Sequence, residues 1–306
     1  MSKVLVTGGA GFIGANLVRR LLQEEYSVVA LDNLSSGKLE NLQGVQNHCN
    51  FKFVQGDVRD AKTVKLALDG VAFVVHLAAL IDVSASVADP TLTHEINVTG
   101  TLNVLKEAVR QSVNKFVFAS STAVYGDAKA LPIREETPCE PISPYAASKA
   151  AAEAYCSAYS GCYGLDTVRL RFFNVYGPKN ENSVYSGVIT KFLRKAQQNE
   201  ALTIEGDGEQ TRDFIYVDDV IQALVSALEG HDVSGEVFNV CTGSPISINN
   251  LAHTLIAVMG KKLEITHVQP RVGDIRVSYG DPSKAATRLG FKAKINLADG
   301  LKKLTA

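Results

Sequence analysis

A chain of 306 residues can hold two domains or one large domain with an insertion. Its 46% apolar and 21% charged residues are the balance of a globular protein, which excludes fibrous and largely disordered states. With 31 Lys and Arg against 32 Asp and Glu the formal net charge is -1, so no global basic field exists to grip a nucleic-acid backbone or an anionic membrane. Any anionic ligand must be held by a local site.

From the N-terminus, β-branched runs alternate with helical ones: strands are predicted over 3–7, 27–31 and 51–55, and helices over 11–24 and 61–69. The rhythm continues with strands over 72–76, 115–119 and 167–170 and long helices over 91–112 and 144–163. The strands lack polar alternation, as expected when helices cover both faces of a parallel sheet. After Arg171 the stretch Asn174-Val-Tyr-Gly-Pro-Lys-Asn-Glu-Asn-Ser is rich in turn formers and marks a boundary. A later helix over 217–229 and an apolar strand over 236–240 can return to the first sheet. The expected fold is α/β: a Rossmann-type doubly wound parallel sheet from 1–171 plus a returning segment about 214–243, with a smaller mixed α/β substrate-binding lobe from 172–213 and 244–306.

The five cysteines, Cys49, Cys139, Cys156, Cys162 and Cys241, are odd in number and lack zinc spacing, so they read as free thiols of a reducing compartment. The six histidines show no metal-ligand spacing either, and His76 reads as the end of a buried strand. No metal site is expected. The longest apolar stretch, 71–81, is interrupted by His76 and falls short of the roughly 20 residues that span a bilayer. No signal-peptide pattern opens the chain, and a cytoplasmic location is expected.

Thr7-Gly8-Gly9-Ala10-Gly11-Phe12-Ile13-Gly14 lies between the first strand and the first helix. There a glycine turn lets backbone approach a pyrophosphate, the helix N-terminus supplies free amides, and the last glycine permits close packing. Asp32 follows the second strand at about the 20-residue offset where a carboxylate takes adenosine ribose hydroxyls; its alternative is a turn or cap. Lys38 is the one nearby cation, and no adjoining arginine welcomes a 2′-phosphate, which favours NAD over NADP. Asp57 faces the adenine edge or caps the next helix. Tyr145-Ala-Ala-Ser-Lys149 puts tyrosine and lysine on one helical face. A free phenol, with a pKa near about 10, becomes a useful base only where positive charge favours the phenolate. Ser120, Ser121 and Thr122 follow the 115–119 strand at a carboxyl end, where one hydroxyl can bridge the substrate to Tyr145, or all three can serve a turn.

Further along stand Asp57-Val58, His76-Leu-Ala-Ala79, Asn97-Val-Thr-Gly-Thr101, Arg171-Phe-Phe-Asn-Val-Tyr-Gly-Pro178, Gly206-Asp-Gly-Glu-Gln-Thr-Arg-Asp213 and Arg271-Val-Gly-Asp274. With the earlier motifs they resemble the extended short-chain dehydrogenase/reductase superfamily, and within it the nucleotide-sugar epimerases, over essentially the whole chain. The resemblance implies Tyr145 as acid/base, Ser121 as its hydrogen-bonding partner and Lys149 as anchor of the nicotinamide ribose. It implies an NAD site lined by Gly8, Gly11, Phe12, Ile13, Gly14, Asp32, Asn33, Leu34, Ser35, Ser36, Gly37, Asp57, Val58, Leu77, Ala78, Ala79, Asn97 and Phe173, besides Tyr145 and Lys149. Asn174, Arg212, Arg271 and Asp274 would hold a nucleoside diphosphate, the arginines through charge-assisted bonds.

The activity so implied is that of an isomerase of carbohydrate metabolism: NAD-dependent C4 epimerisation of a UDP-hexose through a transient 4-keto sugar. Related 4,6-dehydratases carry Thr-Asp-Glu, and UDP-glucuronate decarboxylases a glutamate at the third position, where this chain has Ser121-Thr122-Ala123. A small residue at the position of Ser278 implies that UDP-N-acetylglucosamine and UDP-N-acetylgalactosamine are accepted with UDP-glucose and UDP-galactose. UDP-glucuronate 4-epimerase is the nearest alternative, and a non-catalytic NAD-binding protein lies further off. The family's helical pairing implies a homodimer through the 91–112 and 144–163 helices, for which Leu102, Leu105 and Val109 offer an apolar face or simply pack on the sheet. Asp82 has no assigned role.

Overall fold

The computed structural model describes residues 2–178, 187–270 and 275–305. Strand β1 (Lys3–Thr7), helix α1 (Phe12–Gln23), strands β2 (Ser27–Asp32) and β3 (Phe51–Gln55), helix α2 (Ala61–Ala67) and strand β4 (Phe73–His76) follow in the predicted order. Next come α3 (Val83–Ala88), α4 (Pro90–His94), a π-turn at Glu95–Thr99, α5 (Gly100–Arg110), β5 (Lys115–Ser121), α6 (Pro144–Tyr163) and β6 (Asp166–Phe172). The later elements are β7 (Asn174–Tyr176), α7 (Val188–Gln197), β8 (Leu202–Glu205), β9 (Thr211–Tyr216), α8 (Val217–Glu229), β10 (Val237–Val240), β11 (Pro245–Ser247), α9 (Ile248–Val258), β12 (Ile265–Val268), β13 (Val277–Ser278), α10 (Ser283–Arg288) and α11 (Leu297–Thr305).

Seven strands form one sheet in the order β10-β6-β5-β4-β1-β2-β3, and every pairing is parallel. The order reverses between β1 and β4, and at such a switch point the loops leaving the two carboxyl ends diverge and open a crevice. The turn at Gly8 and the segment from Leu77 border that crevice. Helices cover both faces, which is why β1 and β2 bury nearly every side chain and show no alternation.

A smaller sheet is built on β9. Strand β11 pairs antiparallel along one edge and β13 parallel along the other, Ser278 opposite Arg212, while β7 pairs parallel with the later part of β9, Asn174 opposite Phe214. Strands β8 and β12 form a separate parallel pair. Since β9 belongs to the small sheet, the segment that returns to the large one starts with α8 at Val217, not at 214.

Three further details differ from the sequence reading. The expected helix over 91–112 is interrupted by the π-turn, one extra residue that hydrophobic periodicity does not register. Asp82 is the cap of α3, accepting the Ala85 N–H at 2.6 Å. Leu105 is fully buried in the core, with Val109 packed beside it, so this pair serves the sheet and not an outer face.

Among the described residues no helix is long and apolar enough to cross a membrane, and no cluster of His, Cys, Asp and Glu could hold a metal ion. All five cysteines are free.

Candidate active site

The first turn is shaped by contacts only glycine tolerates. Gly8 has a φ of +66°, and a Cβ on Gly14 would lie 2.1 Å from the Gly8 carbonyl oxygen. Gly11 begins α1 without any side-chain cap, so the first-turn amides of Phe12 and Ile13 face no capping acceptor. Thr7 ties the turn to β4: its Oγ1 accepts the N–H groups of Leu77 and Ala78, each at 3.1 Å.

Asp32 is the second fixed point. Its carboxylate accepts the Ala10 N–H at 2.9 Å and the Leu34 N–H at 2.8 Å, and Gly37 packs so closely that a Cβ there would come within 2.8 Å of both oxygens. Burial raises its pKa, while the two backbone bonds oppose the rise. Leu34 pays for this wrap with a φ of +62°. A cavity of about 340 Å³ opens here, lined by Gly8, Gly11, Asp32, Asn33, Ser35, Ser36, Asp57, Val58, Ala78 and Ala79 from among the predicted residues. Donors at one end, a carboxylate in the middle and small apolar side chains between them fit a dinucleotide.

Arg59, Leu80, Leu92 and Ile96 also line this cavity and were not anticipated. Arg59 revises the view that Lys38 is the only nearby cation, but its charge is committed. It donates to both oxygens of Asp57 at 3.0 and 2.9 Å and lies 3.5 Å from Glu95. The Arg59 guanidinium holds the Asp57 carboxyl down at a pKa of about 2, and Asn33 donates to the same carboxylate at 2.9 Å. Asp60, not Asp57, caps α2.

Asn97 and Phe173 are buried instead of exposed on the cavity wall. The Asn97 amide is spent on Leu80, whose N–H it accepts and whose carbonyl it donates to, and on Ser148 Oγ at 2.8 Å. Phe173 packs with Val124, Tyr125, Ile133 and Cys241, and a Cβ on Gly280 would stand 2.4 Å from its ring.

The reactive cluster sits at the carboxyl end of β5. Ser143 caps α6 by accepting the Ala146 N–H, and Pro144 fits the first helical position, which sets the phase that turns Tyr145 and Lys149 inward. Both are buried, at 9% and 4% exposure. Lys149 Nζ donates to the Ala119 carbonyl at 2.8 Å and lies 4.9 Å from the centre of the Phe118 ring. Burial lowers its pKa to about 8. Burial raises that of Tyr145, and the Ser121 hydroxyl beside it opposes the rise. Of the three hydroxyls after β5, Ser121 is thus the one that meets Tyr145. Ser120, on the opposite face of the strand, has a buried hydroxyl with no partner among the described residues.

The second cavity, of about 440 Å³, is lined by Asn174, Val188, Lys191, Phe192, Lys195, Thr203, Ile204, Gln210 and Arg212 among others. The register of the small sheet sets Ser278 opposite Arg212 and Asn174 opposite Phe214, two residues further along β9. Arg212 Nη1 donates to the Thr211 and Ile275 carbonyls at 2.8 and 2.6 Å. Behind it Asp213, fully buried, accepts the Thr242 and Gly243 N–H groups at 2.9 Å each. Arg271 and Asp274 lie outside the described residues. Lys191 and Lys195 were missed because α7 carries no motif spacing to mark them, and Gln210, though within the 206–213 motif, was passed over in favour of Arg212.

Comparison with known proteins places this geometry. The chain is 40% identical over 303 residues to a UDP-glucose 4-epimerase of Mycolicibacterium smegmatis, covering 98% of this chain and 96% of that one. It superposes on the UDP-N-acetylglucosamine 4-epimerase of Methanobrevibacter ruminantium, solved with UDP-N-acetylmuramic acid, with a TM-score of 0.93 at 38% identity, covering 99% and 98% of the two chains. The UDP-glucuronic acid 4-epimerase of Bacillus cereus, solved with UDP-glucuronic acid and NAD, gives a TM-score of 0.91 at 32% identity, covering 98% and 97%. The model of the NAD dependent epimerase/dehydratase family matches residues 4–241, so the protein belongs to that family and its dinucleotide is NAD.

Proposed function

We propose that the protein interconverts the C4 epimers of UDP-hexoses, UDP-glucose with UDP-galactose and UDP-N-acetylglucosamine with UDP-N-acetylgalactosamine. The observation that carries this reading is the trio at the carboxyl end of β5: Tyr145 with Ser121 beside it, and Lys149 one turn along the same helix. Thr122 and Ala123 stand where an elimination or decarboxylation would call for carboxylates.

NAD, when bound, supplies the reversible hydride acceptor at C4. The chain's own residues handle the proton. In the free protein burial keeps Tyr145 protonated, so it becomes a base only as positive charge accumulates beside it, to which the Lys149 ammonium contributes. Tyr145 then takes the proton of the C4 hydroxyl as C4 is oxidised, with Ser121 holding the oxygen in line, and returns it to the oxygen when the other face of the 4-keto sugar is reduced. Asn174 and Arg212 tether the diphosphate while the sugar turns. Arg271 and Asp274 complete that clamp in this reading. The dinucleotide occupies the unit built on the seven-stranded sheet and the nucleotide sugar the 172–213 and 244–306 lobe.

A homodimer through α5 and α6 belongs to the same reading. Its support is the row Tyr155, Tyr159 and Tyr163 on α6, of which Tyr155 and Tyr163 are exposed, and in which the last two rings lie 4.8 Å apart.

An NMR assay of the NAD-loaded protein against UDP-glucose, UDP-N-acetylglucosamine and UDP-glucuronate tests the proposal. Conversion of the two neutral sugars to their C4 epimers is expected, with loss of about 10²–10⁴-fold in Tyr145→Phe, the range for removing a general acid/base. Turnover of glucuronate alone replaces this substrate assignment with the uronate epimerase, and full activity in Tyr145→Phe removes the assigned base.

A further inference from the structure

A chain of buried hydrogen bonds connects the strand that carries the glycine turn with the backbone of Tyr145, and His76 lies in its middle. Thr7 Oγ1 already accepts two N–H groups, from Leu77 and Ala78. A hydroxyl has two lone pairs and one proton, so that proton is left for His76 Nδ1, 2.7 Å away. On the far side Thr101 Oγ1 donates to the Asn97 carbonyl at 2.6 Å. Its remaining role toward His76 Nε2, at 3.0 Å, is to accept. The two ends therefore demand the same state independently: a neutral imidazole carrying its proton on Nε2.

The surroundings agree. His76 is 1% exposed, with the Phe116 and Phe118 rings 5.7 and 6.0 Å from its own. Burial, with the nearby Lys149 charge as the second cause, holds its pKa down to about 3. Beyond Thr101 the chain goes on through the Asn97 side chain. Its Oδ1 accepts the Leu80 N–H at 2.7 Å, which fixes the amide orientation and leaves Nδ2 to donate to Ser148 Oγ at 2.8 Å. Ser148 Oγ in turn donates to the Tyr145 carbonyl at 2.7 Å. Each link has one consistent donor direction, and Asn97 lies within the π-turn at Glu95–Thr99.

We propose that His76, as the Nε2–H tautomer, is a positioning residue that locks the glycine-turn strand to the helix bearing Tyr145, keeping the cofactor's pyrophosphate seat and the phenolic oxygen in fixed register. A register error of this kind reaches chemistry through geometry and not through binding. The kinetic part rests on the epimerase reading; the tautomer does not.

Two measurements test it. Nitrogen-15 NMR of the imidazoles in the NAD-loaded protein at pH 7 should show His76 protonated at Nε2 and bare at Nδ1. The opposite tautomer, or an imidazolium, overturns the proposal whichever sugar is turned over. Thr101→Val then removes the acceptor of the Nε2–H while keeping shape, and Thr101→Ser retains it. With saturating UDP-sugar, Thr101→Val should lose about tenfold in kcat with KM and bound NAD unchanged, and Thr101→Ser should recover most of that loss. Wild-type kcat in Thr101→Val, equal losses in both variants, or a change confined to KM overturns it. Absence of turnover in the wild-type protein with the expected tautomer present counts against the substrate assignment and not against the relay.

Discussion

Tyr145 and Lys149 are both taken out of water, and burial pushes each toward its neutral form: the phenol is raised and the ammonium lowered to about 8. A site so arranged is poised, since either charge depends on what is bound beside it. In the proposed reading Ser278 bears, at the same scale, on a different part of the substrate. It is half-buried on β13, directly opposite Arg212, and in that reading its small volume admits the N-acetyl group. Ser278→Tyr should therefore cost UDP-N-acetylglucosamine roughly tenfold to a hundredfold in kcat/KM, the equivalent of about 1–3 kcal/mol of overpacking, while UDP-glucose changes little. Parallel kinetics on the two sugars decide it. Undiminished N-acetyl turnover in the variant would mean that another side chain sets the pocket's size.

Between elements, the position of α6 is held from below by a buried ion pair one turn beyond Lys149. Glu153 and Arg171 on β6 meet at 2.6 and 2.9 Å and are each 6% exposed. The guanidinium also donates to the Glu135 carbonyl at 3.2 Å and stacks 4.6 Å over Tyr125. Burial pulls the Arg171 pKa down, but the hydrogen bonds and charge of Glu153 outweigh it and raise the pKa well above its ordinary value. Glu153→Gln strands a buried cation and should cost about 3–5 kcal/mol in urea unfolding, whereas Glu153→Leu with Arg171→Met, which removes both charges, should cost less. A double variant no more stable than the single one would show that the pair contributes more than it costs to bury. This network also marks what the sequence could not disclose. The span of α6 was legible because Ser143, Pro144 and Gly164 punctuate it, and the seven-stranded sheet because its strands are unbroken apolar runs. Tyr145, Lys149, Asp32 and the glycines stood out through spacing within one or two elements. Arg59, Lys191 and the Glu153 to Arg171 pair stayed hidden because they converge from distant segments, and the π-turn because a single inserted residue leaves the apolar pattern of the helix intact.

Over the whole molecule, the two sheets are not separately stabilised. One continuous apolar cluster runs from Val4, Leu17 and Val28 in the first βα units through Leu224 and Phe238 to Phe192, Leu202, Leu251 and Leu301 around the smaller sheet and its helices. Helix α8 is the joint: nine of its residues, from Val217 to Leu228, are buried, and it packs on α1 as well as on β9. Opening the lobe alone would expose the lobe-facing half of that cluster, at roughly 25 cal/mol per Å² of apolar surface, without releasing the rest of the chain's entropy. Calorimetry should then show a single transition in which the lobe and the NAD-binding unit melt together, despite a chain length at which independent domains are common. In the proposed reading NAD sits on the unit built on the large sheet, so the coupling can be read directly. At a hundredfold excess over its dissociation constant the cofactor adds about 2.7 kcal/mol to whatever unfolds with its site. If the cluster is one cooperative unit, a probe in the lobe, such as a fluorophore on exposed residues of α9, shifts to higher temperature by the same amount as a probe on α2. A lobe probe that ignores NAD, or a second calorimetric peak, would show that the shared core is broken before the sheet is, with the substrate side free to open while the cofactor stays in place.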